Sequence, residues 1–236
     1  MKEISVGKID PSIKEVLEKL NKTNLNFYVA GGLLCQYYLK EHARFTKDVD
    51  VLFNEDKEVV EEELKKVFGK IDFFYSDESN SFYEQNFTCF VKVGGLLGQI
   101  EGKKIEFLSK VKTEQYSYNG IPFKGVRIEY VIAEKLVSLL SELPRPYKHL
   151  VDIYSFSKID QSLIDKDEVK RYMSLINEQD NRFRKSANIK EYELPKQIPN
   201  DKVLNPPFIT PTLQAKYNLN KDEMISKVNE WLKTVL

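Results

Sequence analysis

The segment SIKEVLEKLNK (12–22) carries apolar residues at helical spacing, which predicts a short helix with Asp10 as N-cap and Pro11 at its first position. The run Asn26–Ala30 is β-prone and stops at Gly31-Gly32, residues 33–40 read as helix, and Asp48–Phe53 alternates as a strand should. Residues 55–69 form a charged amphipathic pattern that Gly69 closes, followed by the β-prone IDFFYS. Phe87–Val93 and Lys104–Leu108 are expected as strands across a Gly-rich connection, and Asn119-Gly120 between YSY and IPF signals a hairpin. Beyond about residue 127 the period becomes helical, with helices predicted at 129–142, 148–158 and 166–179. Five prolines then mark a strap at about 187–213, and Asn220 with Glu223 resembles a capping box opening a last helix to Leu236. The expected fold class is therefore α/β (α+β): an α/β domain at 1–126 and a helical domain at 127–236.

The order of elements in VAGGLLCQYYLKEHARFTKDVDVLF (29–53) points to chemistry. A strand that ends in Gly31-Gly32 and feeds a helix leaves backbone N–H groups at a positive helix end, where an anion approaches an unobstructed main chain. On the following strand Asp48, Asp50 and Leu52 share one face, while Val49, Val51 and Phe53 share the other. Carboxylates at roughly 5 Å repel by about 3 kcal/mol at an effective dielectric near 20. A divalent cation removes that conflict, and oxygen-only ligands suit Mg²⁺ or Mn²⁺. A phosphate cradle beside paired carboxylates is the equipment of metal-assisted phosphoryl or nucleotidyl transfer.

Composition narrows the partners. Of 236 residues, 36 are Lys or Arg and 36 are Asp or Glu, so the zero formal charge argues against general nucleic-acid affinity and confines any such contact to a local patch. Arg182, Arg184 and Lys185 form the densest basic cluster, with Glu178 and Asp180 beside them. Only two cysteines, Cys35 and Cys89, occur at no metal-ligand spacing, which suits reduced thiols and a cytoplasmic setting. No signal-peptide core and no membrane-length apolar run is present.

The Gly-Gly…Thr-X-Asp-X-Asp arrangement resembles the signature of the polymerase-beta-like nucleotidyltransferase superfamily, and its long spacer and Thr46 resemble the AbiEii/AbiGii toxin branch. The segment IEYVIAEKLVSLLSELPRPYKHLVDIYSF (128–156) is similar to a second family motif, with Lys135 and Asp152 at the matching positions. It departs from that motif at Lys148-His149, where family members commonly carry a basic residue and then aspartate. The resemblance implies NMP transfer from an NTP to an acceptor hydroxyl on a tRNA 3′ end or a protein, with release of pyrophosphate and a cognate antitoxin as partner. It assigns Gly31, Gly32 and Thr46 to the nucleotide, Asp48 and Asp50 to the metal, and Lys135 to the developing charge.

A third carboxylate is expected on a neighbouring strand. Glu106 in KKIEFLS alternates away from Ile105 and Phe107 and is the candidate, ahead of Glu101 in its Gly-rich turn. Lys135 falls at the edge of the apolar stripe of its helix, where the stem lies on apolar surface and the ammonium reaches outward. Asp152 either holds that ammonium or caps the next helix. Two other readings stay open: an antibiotic-type enzyme acting on a small hydroxylated drug, and a non-catalytic nucleotide-binding or antitoxin-interacting protein.

Overall fold

The computed structural model describes residues 1–4, 8–75, 86–140, 147–179 and 221–235. The chain divides into two compact units, Met1–Arg127 and Ile128–Leu236.

The first unit is built on eight strands: β1 (Lys2–Ile4), β2 (Tyr28–Val29), β3 (Asp48–Phe53), β4 (Phe73–Tyr75), β5 (Phe87–Val93), β6 (Leu96–Lys104), β7 (Thr113–Tyr118) and β8 (Ile121–Val126). They form one mixed sheet in the order β1-β7-β8-β2-β3-β6-β5-β4. Three helices accompany it, α1 (Ser12–Leu20), α2 (Gly31–Leu39) and α3 (Lys57–Phe68). Helix α1 packs on β3, β5, β6 and β8, and α2 packs on β1 and β3. The apolar set of β3 is closed off, with Val49, Val51 and Phe53 each at most 4 % exposed.

Several expected elements are present with small shifts at their ends, and three differences have physical causes. Helix α1 starts one residue late: Asp10 accepts hydrogen bonds from the Ser12 backbone (2.9 Å) and hydroxyl (2.7 Å), leaving Pro11 in the flanking position. The strand expected at Lys104–Leu108 is instead a long β6 that ends at Lys104 and is followed by a turn. Gly94 and Gly95, at φ +51° and +81°, reverse the chain in two residues, so Val93 pairs with Leu96 and the ladder begins at once. The glycines inside β6 are filled by neighbours, because a β-carbon at Gly98 would lie 2.6 Å from Val16 and one at Gly102 would lie 2.3 Å from the Phe87 ring. The third difference is β1, which has no sequence signal of its own and pairs in parallel with β7.

A polar cluster fastens β1. The Lys2 ammonium donates to Glu114 and to the Tyr38 hydroxyl (3.2 Å). The hydroxyls of Tyr38 and Tyr116 lie 2.7 Å apart, and Tyr116 donates to Glu114 (3.1 Å). Burial pushes the Glu114 carboxyl up, but the Lys2 ammonium and the two hydroxyls outweigh it and hold the group below its ordinary range.

The second unit packs helices α4 (Ile128–Leu140), α5 (Tyr147–Phe156) and α6 (Lys166–Gln179) with the C-terminal helix Lys221–Val235. Its core includes Ile132, Leu136, Ile153, Phe156, Val169 and Leu232. Among the described residues no helix is long and apolar enough to cross a membrane. The expected strap at 187–213, the basic cluster at 182–185 and Asn220 lie outside the described residues.

The Glu114 cluster yields an acid-stability prediction. A carboxyl held below its unfolded value of about 4.3 contributes stability that is present above that value and is lost as pH falls through the folded one. Urea melts from neutral pH to about pH 3 should therefore show Glu114→Gln less stable by about 1–3 kcal/mol at neutrality. The gap between wild type and variant should narrow on acidification. A constant gap across that range would mean that Glu114 acts through packing rather than through its charge.

Candidate functional site

The turn from β2 into α2 is fixed by β3. Ala30 donates its N–H to the carbonyl of Asp50 (2.9 Å), and Gly31 opens α2 at φ +63°. Gly32 then donates its N–H to Asp50 Oδ2 (3.1 Å). A β-carbon at Gly31 would lie 1.7 Å from that same oxygen, so only glycine admits the carboxylate here. The anion expected at this helix start is thus present in the chain itself, as the side chain of Asp50.

Thr46 is placed beside the same turn. It is 1 % exposed, and a β-carbon at Gly32 would lie 2.8 Å from its hydroxyl oxygen. Its backbone N–H donates to Lys8 (2.8 Å), its carbonyl accepts from Asp10 (2.8 Å), and its hydroxyl accepts from Gln36 of α2 (3.3 Å). The expected neighbourhood of Gly31, Gly32, Thr46 and the aspartates is therefore assembled.

Asp48 and Asp50 stand two residues apart on β3, on one face by strand alternation. Asp48 is 7 % exposed and has no hydrogen-bond or ion-pair partner among the described residues. A carboxylate so enclosed is costly unless a cation reaches it. The parallel β3–β6 ladder sets Asp48 opposite Gln99 and Asp50 opposite Glu101, with strands about 4.8 Å apart. Gln99 Nε2 donates to Glu101 Oε1 (2.8 Å), which anchors that carboxylate over the same face.

This register places Glu101, rather than the expected Glu106, opposite Asp50. Glu106 is exposed in the turn beyond β6, past the Phe53–Lys104 pair that ends the ladder, so it is not beside Asp50. Glu101 occupies that place. The signal that would have found it is the Gly94-Gly95 turn, which starts β6 at Leu96 and makes Glu101 alternate with the buried Ile100 and Gly102. Among the described residues no three His, Cys, Asp or Glu side chains are gathered closely enough to hold a metal as they stand. The donor set is nonetheless all oxygen, as a hard divalent cation requires.

In the helical unit Lys135 of α4 is not at a boundary. Its ammonium donates to Asp152 Oδ2 of α5 at 2.7 Å, with the two side chains 3 % and 1 % exposed. Asp152 lies inside α5, Tyr147–Phe156, and the structure shows it paired with Lys135. The edge-of-stripe position expected for Lys135 fails because α5 and α6 both pack on α4 and leave it almost no solvent-facing side.

Comparison with solved structures finds weak overall likeness. A candidate nucleotidyltransferase of H. pylori is 12 % identical, with 94 % of this chain and 91 % of that one covered and a TM-score of 0.47. An antigenic nucleotidyltransferase-like protein of Paracoccidioides brasiliensis is 18 % identical over 71 % of this chain and 87 % of that one, with a TM-score of 0.44. The antibiotic-resistance enzyme ANT(2")-Ia, solved with adenylyl-2"-tobramycin, is 15 % identical over 71 % and 95 %, with a TM-score of 0.46. No curated protein matches the sequence. The family profile described as nucleotidyl transferase AbiEii toxin, type IV toxin–antitoxin system, matches residues 16–233, a span that includes every site residue discussed above. The chain is thus a nucleotidyltransferase and belongs to the AbiEii toxin family.

Proposed function

We propose that this protein transfers an NMP from an NTP to an acceptor hydroxyl, on a tRNA 3′ end or a protein, as the toxin of a toxin–antitoxin pair in the cytoplasm. The observation that carries the reading is the juxtaposition at one turn of the Gly31-Gly32 amides and Thr46 with Asp50, next to the enclosed Asp48 and opposite Glu101.

Asp48, Asp50 and Glu101 would hold Mg²⁺ or Mn²⁺. When bound, the cation supplies charge neutralisation at the phosphates and lowers the pKa of the attacking hydroxyl. The acceptor oxygen bonds to the α-phosphorus, the bond to the β-phosphate oxygen breaks, pyrophosphate leaves and the hydroxyl proton is released to solvent. The Gly32 N–H, which now donates to Asp50, would be the donor for a phosphate with Asp50 among the residues holding the cation. Thr46, clamped by its backbone on both sides, presents its hydroxyl without rearrangement. Lys135 and Asp152, paired at 2.7 Å in the helical unit, enter the proposal through the family resemblance, as one unit in which the carboxylate orients the ammonium.

The direct test is incubation with Mg²⁺, each labelled NTP in turn and total RNA, with the protein itself as the alternative acceptor. Label on RNA or protein is expected with at least one NTP. Absence of label with all four, from folded protein, would overturn the reading.

Neutralising Asp48 separates site from scaffold. Asp48→Asn should abolish transfer and leave metal-free stability unchanged, or raised by at most about 1–3 kcal/mol, because an enclosed charge beside a like charge is removed. The Mg²⁺-dependent rise in melting temperature should shrink with it. Denaturant melts in EDTA and in Mg²⁺ check both. A variant clearly less stable in EDTA that still transfers nucleotide would make Asp48 structural.

The buried pair needs a different design. Lys135→Ala should cost about 3–5 kcal/mol, because it strands the Asp152 carboxylate in the interior. The double variant Lys135→Met/Asp152→Leu should regain most of that stability and still lack transfer. Wild-type turnover in the double variant would reduce the pair to a scaffold role.

A further inference from the structure

The sheet of the first unit has one face that α1 does not cover. On β6, a β-carbon at Gly98 would lie 2.6 Å from Val16 of α1 and one at Gly102 would lie 2.3 Å from the Phe87 ring, so Leu97, Gln99 and Glu101 alternate to the opposite side. We propose that this open face is a platform for an unpaired RNA strand, whose bases stack on Phe90 and Phe74 while its end reaches the carboxylates. The strand's role as acceptor rests on the nucleotidyl-transfer reading, and the platform favours a nucleic-acid acceptor over a protein one.

The ladders set the two rings in line with the candidate site. Asp48 pairs with Gln99 and Gln99 with Phe90, so one row crosses β3, β6 and β5. The next row runs from Asp50 through Glu101 and Thr88 to Phe74, across β3, β6, β5 and β4. With strands about 4.8 Å apart, Phe90 stands roughly 10 Å from Asp48 and Phe74 roughly 14 Å from Asp50. Neither ring touches a hydroxyl held at the carboxylates. Both lie where the few nucleotides that precede such an end would run.

The rings are open to solvent. Phe90 is 44 % exposed and Phe74 58 % exposed, and they meet edge to face, with centroids 6.0 Å apart and planes at 71°. That geometry leaves ring faces uncovered, and the flat bases of a single strand stack on such faces whatever their sequence. Charge agrees with this occupant. Lys92 follows Phe90 on the same face of β5 and Lys103 follows Glu101 on the same face of β6, so a lysine lies beyond each row. Flanking lysines suit the phosphates of a strand. A small drug would be held wholly at the carboxylates, a protein acceptor offers no series of flat groups, and a paired strand hides its base faces.

The test compares full chains of wild type, the double variant Phe74→Ala/Phe90→Ala, and Phe90→Tyr. A labelled single-stranded RNA of about 12 nucleotides, and the same strand in a blunt duplex, are titrated by fluorescence anisotropy in Mg²⁺ without NTP. Wild type should bind the single strand at least tenfold more tightly than the duplex. The double variant should keep the melting temperature of the ligand-free protein and its shift with Mg²⁺ and NTP, yet bind the single strand at least tenfold more weakly and label it correspondingly more slowly at limiting RNA. Phe90→Tyr, which keeps the ring face, should retain wild-type affinity. No binding by wild type, equal affinity in the double variant, or a duplex bound as well as the single strand would overturn the proposal and leave nucleotidyl transfer standing. A wild-type dimer that the double variant converts to monomer in light scattering would assign the rings to a protein contact and overturn it equally. Ring-dependent binding by a wild type that labels no acceptor with any NTP would overturn the transfer reading and keep the platform.

Discussion

The contact between the Asp50 carboxylate and the Gly31-Gly32 turn is the constraint on which the candidate site in the first unit depends. One oxygen accepts the Gly32 N–H at 3.1 Å and fills the space where a side chain on Gly31 would stand. That single placement requires glycine at the start of α2, a positive φ at Gly31, and a register in which Ala30 bonds the Asp50 carbonyl. Once β3 is fixed against β2 in this way, alternation sends Asp48 to the face of Asp50 and sends Val49, Val51 and Phe53 into the core. The parallel β3–β6 ladder then brings Glu101 opposite Asp50. A turn, a helix start, a strand register and a row of carboxylates are one arrangement.

What was legible in the sequence follows from how local each determinant is. A glycine pair between a β-prone run and a helical run, and an Asp-Val-Asp-Val alternation, are each read within a few residues, and the structure brings Gly31, Gly32, Thr46, Asp48 and Asp50 together. The strand that was to carry Glu106 was set too late because glycines in VGGLLGQIEG look like a loop when their environment is unknown, whereas β6 runs from Leu96 to Lys104. Gly98 and Gly102 are strand residues only because Val16, from α1, and Phe87, from β5, fill the volume their missing side chains leave. Strand propensity of this kind belongs to the packed neighbours and not to the segment. β1 was illegible for the same reason, since it is held by Tyr38, Glu114 and Tyr116 from much later in the chain.

Lys135 shows a different limit. Helical periodicity reports how wide an apolar stripe is, but it cannot say how many neighbours cover the helix. On α4 nearly every residue is buried, so the position at the stripe's edge became interior and its charge required Asp152 seventeen residues away. A buried pair of this type adds little stability relative to apolar side chains of the same volume, because desolvation offsets much of the attraction. The pair therefore adds little to the cohesion of the helical unit, which is consistent with the role proposed for it above.

The charge balance of the chain sets how recognition of a polyphosphate has to work. With 36 basic and 36 acidic residues there is no excess positive charge to draw an anion from a distance. The site moreover presents Asp48, Asp50 and Glu101, which repel one. On the reading proposed above, attraction would come from groups within the first few ångströms: the amide at Gly32 and the Thr46 hydroxyl on one side, and a cation between the carboxylates on the other. On that reading each half would be incomplete alone, because the Asp50 carboxylate holds the Gly32 amide at 3.1 Å. Cation and triphosphate would then favour each other's binding, with the Asp50–Gly32 contact as the element that couples them.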